Sequence, residues 1–127
     1  MSVDRLKCDL LNKLTNARID LAAYLQLRKA KGYMSVGESE QLRDNLFELC
    51  NFMREKAPLL KMEYSESELV ALRRAAESLS LAGVCLMNGR YDCPNFIAVN
   101  PDKLEHCLTT IALCIMCLSE HVGLEQH

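Results

Sequence analysis

Apolar residues recur at steps of three and four along four stretches of the chain, and each stretch is bounded by residues that start or stop helices. In the first, about 3–30, Leu10, Leu14, Ala17, Leu21 and Leu25 share one stripe while Asp9, Lys13, Asn16 and Asp20 fall opposite. Arg28, Lys29 and Lys31 crowd its last turn, where cations suit the negative end of the helix dipole, and Gly32 is placed for a left-handed stop. The second stretch, about 36–57, begins after Ser35 as N-cap with Glu38 set to complete a capping box. Its stripe is Leu42, Leu46, Leu49, Cys50 and Met53, and it is expected to end before Pro58. Leu59 to Glu63 then reads as a connector whose Leu59, Leu60 and Met62 tuck under the end of the fold.

The third stretch, about 66–88, has the clearest start: Ser65 as N-cap, Glu68 three residues on, and Tyr64 and Leu69 as a hydrophobic staple. Leu69, Leu72, Ala76, Leu79 and Leu86 form its core face, Gly89 closes it, and Gly83 within it would let a neighbouring backbone approach. Residues 90–100 read as irregular. Asn100 caps the fourth stretch, about 101–123, with Pro101 in its first turn and Val99 able to staple to Leu104. Four helices of similar length with short loops predict an all-α fold, an antiparallel up-down-up-down four-helix bundle forming a single domain over 1–127.

The last helix has a surplus. From Cys107 to Leu118 only Thr109 and Thr110 are polar, so it is apolar almost all the way round and should be enclosed. The line that includes Thr109 runs on through Leu113 and Met116, with Cys117 beside it, and the Arg74 and Glu77 line of the preceding helix runs on into Leu81 and Val84. In an antiparallel hairpin of these two helices the defects would be neighbours and make an exposed apolar patch, which soluble monomers avoid. The favoured cover is a second copy, giving an isologous homodimer through Leu81, Val84, Leu113, Met116 and Cys117. The alternatives are cover by the chain itself, from the amino-terminal turn or the Leu59 to Met62 connector, and cover by a different protein.

Composition changes this picture little. At 127 residues the chain suffices for a core without staples, and a net charge of −2 gives no concentrated basic face for nucleic acid or anionic lipid. Asp4, Arg5, Lys7 and Asp9 interrupt the amino terminus, leaving no signal-peptide core, and no apolar run is long enough for a bilayer. A cytoplasmic location follows as an expectation. Six of the seven cysteines (Cys8, Cys50, Cys85, Cys107, Cys114 and Cys117) fall in the helical stretches, and they read as reduced thiols serving mainly as small core residues.

Candidate chemistry is sparse. Cys114 and Cys117 have the spacing of a redox pair, but they lie deep in an apolar helix, where burial raises a thiol pKa, so packing is the preferred reading. Cys85, Cys93 and His106, with Cys107, lie toward one end of the hairpin and have the donor chemistry of tetrahedral zinc. Their spacing matches no zinc signature, and adjacent His106 and Cys107 diverge by about 100° on a helix. Cys93 with His106 as base and Asp92 as orienting carboxylate would make a nucleophile, a contact that nothing in the sequence fixes. No Glu stands three residues before His106 or His121, as a di-iron bundle would require, and no phosphate-binding glycine loop is present. The expectation is therefore a small dimeric regulator or adaptor acting through protein–protein contacts, with no cofactor and no catalysis. The alternative is a ligand- or metal-binding bundle with its site around Tyr91, Asp92, Cys93 and His106.

Overall fold

The computed structural model describes the backbone of residues 2–32, 34–87, 90–93, 96–98 and 101–125, and the side chains of 5–32, 34–86 and 101–119. It is all-α in class, with α1 (Ser2–Lys31), α2 (Val36–Glu55), α3 (Ala57–Glu63), α4 (Glu66–Met87) and α5 (Pro101–Glu125). Each long helix packs on two others: α1 on α2 and α5, and α4 on α2 and α5. Leu10, Leu14, Leu21, Leu46, Leu79, Leu104 and Ile111 are fully buried among them. The stripes read from α1 and α2 are buried throughout, because a 3.6-residue period holds those side chains on one face for the whole helix. On α4 the core face is Leu72, Ala75, Leu79, Ala82 and Leu86, while Leu69 and Ala76 pack at its edge.

The helix ends follow their capping chemistry. Gly32 takes φ +82°, the left-handed stop expected of it, and its N–H donates to the Arg28 carbonyl at 2.7 Å. Ser35 Oγ accepts from the Glu38 N–H at 3.1 Å, but the Glu38 carboxylate turns to Lys31 Nζ at 3.1 Å, tying the end of α1 to the start of α2. At Ser65 the capping box is complete: Ser65 Oγ accepts from the Glu68 N–H at 3.3 Å, and the Ser65 N–H donates to Glu68 Oε1 at 2.8 Å. This reciprocal bonding is what lets Glu68 be buried. Between α1 and α2, Ser39 Oγ donates to the Ser35 carbonyl at 2.9 Å, which leaves its lone pairs to accept from the Tyr24 hydroxyl at 2.8 Å.

Several expectations are corrected. The second helix does end before Pro58, but at Glu55 and not at 57, and a further helix follows: Pro58 occupies the first turn of α3, where its missing N–H costs nothing. Of the supposed connector only Leu60 is buried, while Leu59 and Met62 are exposed. The close approach at Gly83 comes from a side chain and not a backbone. A Cβ built there would lie 2.5 Å from the Phe47 ring, so the ring of α2 fits against α4 only because this position has no side chain.

The stretch read as irregular contains two short strands, β2 (Arg90–Cys93) and β3 (Phe96–Ala98), beside the two-residue β1 (Met34–Ser35). β3 lies between the other two, antiparallel to both, with Met34 opposite Ile97, Ser35 opposite Phe96 and Cys93 opposite Phe96. A two-residue strand has no alternation to read, and its partner lies some sixty residues further along the chain. The Gly89, Val99 and Asn100 readings lie outside the described residues.

Candidate functional site

The outer surface of α4 and α5 follows directly from helical geometry. With Leu72, Ala75, Leu79 and Leu86 turned inward, the opposite side of α4 carries Ser67, Val70, Arg74, Glu77, Leu81 and Val84. With Leu104, Cys107, Ile111, Cys114 and Leu118 inward on α5, the outside carries Thr109, Leu113 and Met116. Leu81 is 67% exposed, Val84 41%, Leu113 61%, Met116 57% and Val70 41%. Among the described residues the Leu59 to Met62 segment does not cover them, and the outer face of α5 stays exposed. Cys117 is half-buried at the edge. Thr109 Oγ1 donates to the Glu105 carbonyl at 3.1 Å and Thr110 Oγ1 to the His106 carbonyl at 3.0 Å. Both hydroxyl protons are thus used within α5.

Val70 was not singled out in the sequence because it sits among charges early in α4. Its signal is the spacing of three and four that it shares with Arg74, Glu77, Leu81 and Val84.

The six described cysteines form no disulfide, and only some of them are core residues. Cys50, Cys107 and Cys114 are buried, Cys85 and Cys117 are half-buried and Cys8 is exposed. Cys107 Sγ donates to the Ser78 carbonyl at 3.1 Å and Cys50 Sγ to the Ala76 carbonyl at 3.5 Å, so both thiols pin α4 to its neighbours. Burial, reinforced by Cys50 and Cys85, pushes the Cys107 thiol up to about 12. Burial, reinforced by Cys117, does the same to Cys114. A protonated, enclosed Cys114 is a poor nucleophile for redox exchange.

These raised values fix a sign. A thiol that ionises near 9 when unfolded but near 12 when folded adds stability that is complete below pH 9 and is lost as the pH climbs from about 9 to about 12. The expected slope is about 1.4 kcal/mol per pH unit for each of the two thiols. Urea midpoints at pH 8, 9 and 10 should fall in that order, and a chain carrying Cys107→Ala and Cys114→Ala should lose most of the trend. Equal midpoints in the parent would contradict the burial argument.

The residues proposed as ligands are only partly brought together. His106 is exposed and Cys107 points into the core, the divergence expected of helical neighbours. Cys85 is half-buried in the last turns of α4. The side chains of Tyr91, Asp92 and Cys93 lie outside the described residues, as do those of Glu120 and His121. Among the described residues no group of three or more His, Cys, Asp or Glu is placed to hold a metal ion. A groove of about 310 Å³ between α2, α3 and α4 has a floor of Cys50, Met53, Leu60 and Leu72 and a rim carrying Arg54, Lys61 and Arg73, a feature with no counterpart in the sequence reading. No helix among the described residues is long and apolar enough to cross a membrane.

Known proteins resemble the chain over nearly its full length. It is 53% identical over 126 residues to the proteins named biofilm regulator BssR in Escherichia coli K12, Escherichia coli O157:H7 and Shigella flexneri, covering 99% of each chain. No solved structure matches it. The family described as biofilm formation protein (YliH/bssR) matches residues 1–126, and the chain belongs to that family.

Proposed function

We propose that this chain is a small cytoplasmic regulator of biofilm formation that works as a homodimer and acts by binding other protein surfaces, without catalysis of its own. The names of its relatives support the regulatory role. The observation that carries the dimer is the exposure of Leu81, Val84, Leu113 and Met116 on a chain whose other large apolar residues mostly form one buried cluster. Free thiols on six cysteines favour a reducing compartment. A net charge of −2 favours a protein partner over nucleic acid or an anionic membrane.

The proposal includes one domain over 1–127, with α1, α2, α4 and α5 running up-down-up-down. Residue pairs support each reversal. Tyr24 meets Ser39 while Lys13 lies over the Phe52 ring, and Phe47 meets Gly83 while Cys50 meets Ala76. Cys107 meets Ser78, while Tyr64, two residues before α4, has its phenol pKa raised by burial first and then by the nearby Glu68 and Cys114. In every set the residue later in the chain on one side meets the earlier residue on the next. On this arrangement Leu81 and Val84 lie roughly 18 Å along the helix axes from Leu113 and Met116, at 1.5 Å per residue from the Ser78 and Cys107 contact. The two pairs then occupy opposite ends of one face instead of sitting side by side.

Light scattering across a hundredfold dilution tests the dimer: the mass should fall from two chains toward one. A single chain at every concentration would remove this reading. Restoring a deletion strain with the parent or a monomeric variant, and weighing adherent biomass, tests whether the regulatory role needs the dimer.

A further inference from the structure

The outer line of α4 is Ser67, Val70, Arg74, Glu77, Leu81 and Val84, spaced three, four, three, four and three, which is the a and d spacing of a helix that pairs with another helix. All six are exposed. The apolar members sit toward the two ends and the charges in the middle. Arg74 and Glu77 take part in no ion pair among the described residues, although they stand three apart on one helix.

Laid against itself in the opposite direction, the four central members of this line are their own complement. Val70 then falls on Leu81, Arg74 on Glu77, Glu77 on Arg74 and Leu81 on Val70, while the end members Ser67 and Val84 fall on each other. A parallel pairing sets Arg74 on Arg74 and Glu77 on Glu77, like charge on like charge. Sliding the antiparallel pairing by one heptad sets a charged residue against an apolar one, Glu77 on Leu81 or Arg74 on Val70 according to direction. Of these registers only the first sets Val70 on Leu81 and brings opposite charges together.

We infer that two copies join by laying α4 against α4 in opposite directions, with Val70 on the partner's Leu81 and Arg74 on the partner's Glu77. This rests on the homodimer reading above and adds its direction, its register and three residues, Val70, Arg74 and Glu77. Charge complementarity selects the occupant, since Val70, Arg74, Glu77 and Leu81 match themselves when reversed. Leu113 and Met116, level with Val70 on the proposed topology, flank the place taken by the partner's Leu81. Both exposed ends of the face are covered by one contact.

The test is reciprocal charge exchange, read as dissociation constants by sedimentation equilibrium. R74E sets carboxylate on carboxylate, and E77R sets guanidinium on guanidinium, so each should weaken self-association about tenfold or more. The double variant R74E/E77R should return to within about threefold of the parent. An equimolar mixture of R74E and E77R should form a heterodimer tighter than either variant alone, because one chain then brings two carboxylates to the contact and the other brings two guanidinium groups. Mere loss of folding cannot produce that rescue. If neither the double variant nor the mixture recovers, or if the single variants associate normally, the antiparallel register is wrong while the dimer stands. If the parent itself is monomeric, both fall.

Discussion

A Leu81→Glu chain should remain folded and become monomeric, with self-association weakened about a hundredfold or more. Leu81 is the most exposed of the apolar side chains on the α4 and α5 face, at 67%, and it makes no part of the buried cluster. A charge there has water to solvate it in the single chain, so the cost to folding should stay within about 0.5 kcal/mol. In the dimer the same residue is buried twice, once from each subunit. Losing about 1.5 kcal/mol at each copy gives about 3 kcal/mol, which is a hundredfold in the dissociation constant before any penalty for burying the new carboxylates. Leu113→Glu should act in the same direction from α5, since its 61% exposure gives it the same freedom in the monomer. Circular dichroism and light scattering on the same sample separate the cases. A folded variant that stays dimeric would place the interface elsewhere, and a variant that unfolds would mean that Leu81 is covered within its own chain.

The parts of the structure legible in the sequence are those fixed by contacts a few residues apart. Helical periodicity placed Leu10 to Leu25 and Leu42 to Met53 in the core, because one turn of helix decides which side chains share a face. Ser35 and Ser65 were readable as caps for the same reason, each bonding three residues on. What escaped depends on distant partners. Pro58 looked like a terminator because a break and a fresh start within two residues leave similar local patterns. The pairing of β1 with β3 joins segments too short to show alternation, and the Phe47 ring over Gly83 joins two helices at a point no spacing rule identifies. The apolar surplus of α4 and α5 was visible as composition, but α1 and α4 enclose only the inner face of α5, and among the described residues its outer face, with Leu113 and Met116, stays exposed. The order of charges along Val70, Arg74, Glu77 and Leu81 was in the sequence throughout. It gained meaning only when exposure separated that line from the core line one face away.

Ile111 and Leu113 stand two residues apart on α5 and should differ by several kcal/mol when each is cut to alanine. Ile111 is fully buried between helices, so Ile111→Ala loses the transfer energy of three carbons and leaves a cavity that close-packed neighbours cannot collapse into, a cost of about 2–5 kcal/mol. Leu113 faces outward, so Leu113→Ala in the separated chain loses little and gains slightly from the better helix propensity of alanine. For a chain of this size each kcal/mol moves the melting temperature by about 3–5 °C, so Ile111→Ala should melt about 6–25 °C below the parent. The contrast must be read at two concentrations, because a dimer protects its folded state by mass action. At concentrations well below the dissociation constant, Leu113→Ala should melt with the parent. Well above it the parent gains stability that Leu113→Ala lacks in part, so a gap should open between them. Ile111→Ala should sit well below the parent at both, because the packing it removes is used by the monomer and the dimer alike. A Leu113→Ala deficit that is large and independent of concentration would instead make this side chain part of the fold, and the outer face of α5 would no longer be available to a second copy.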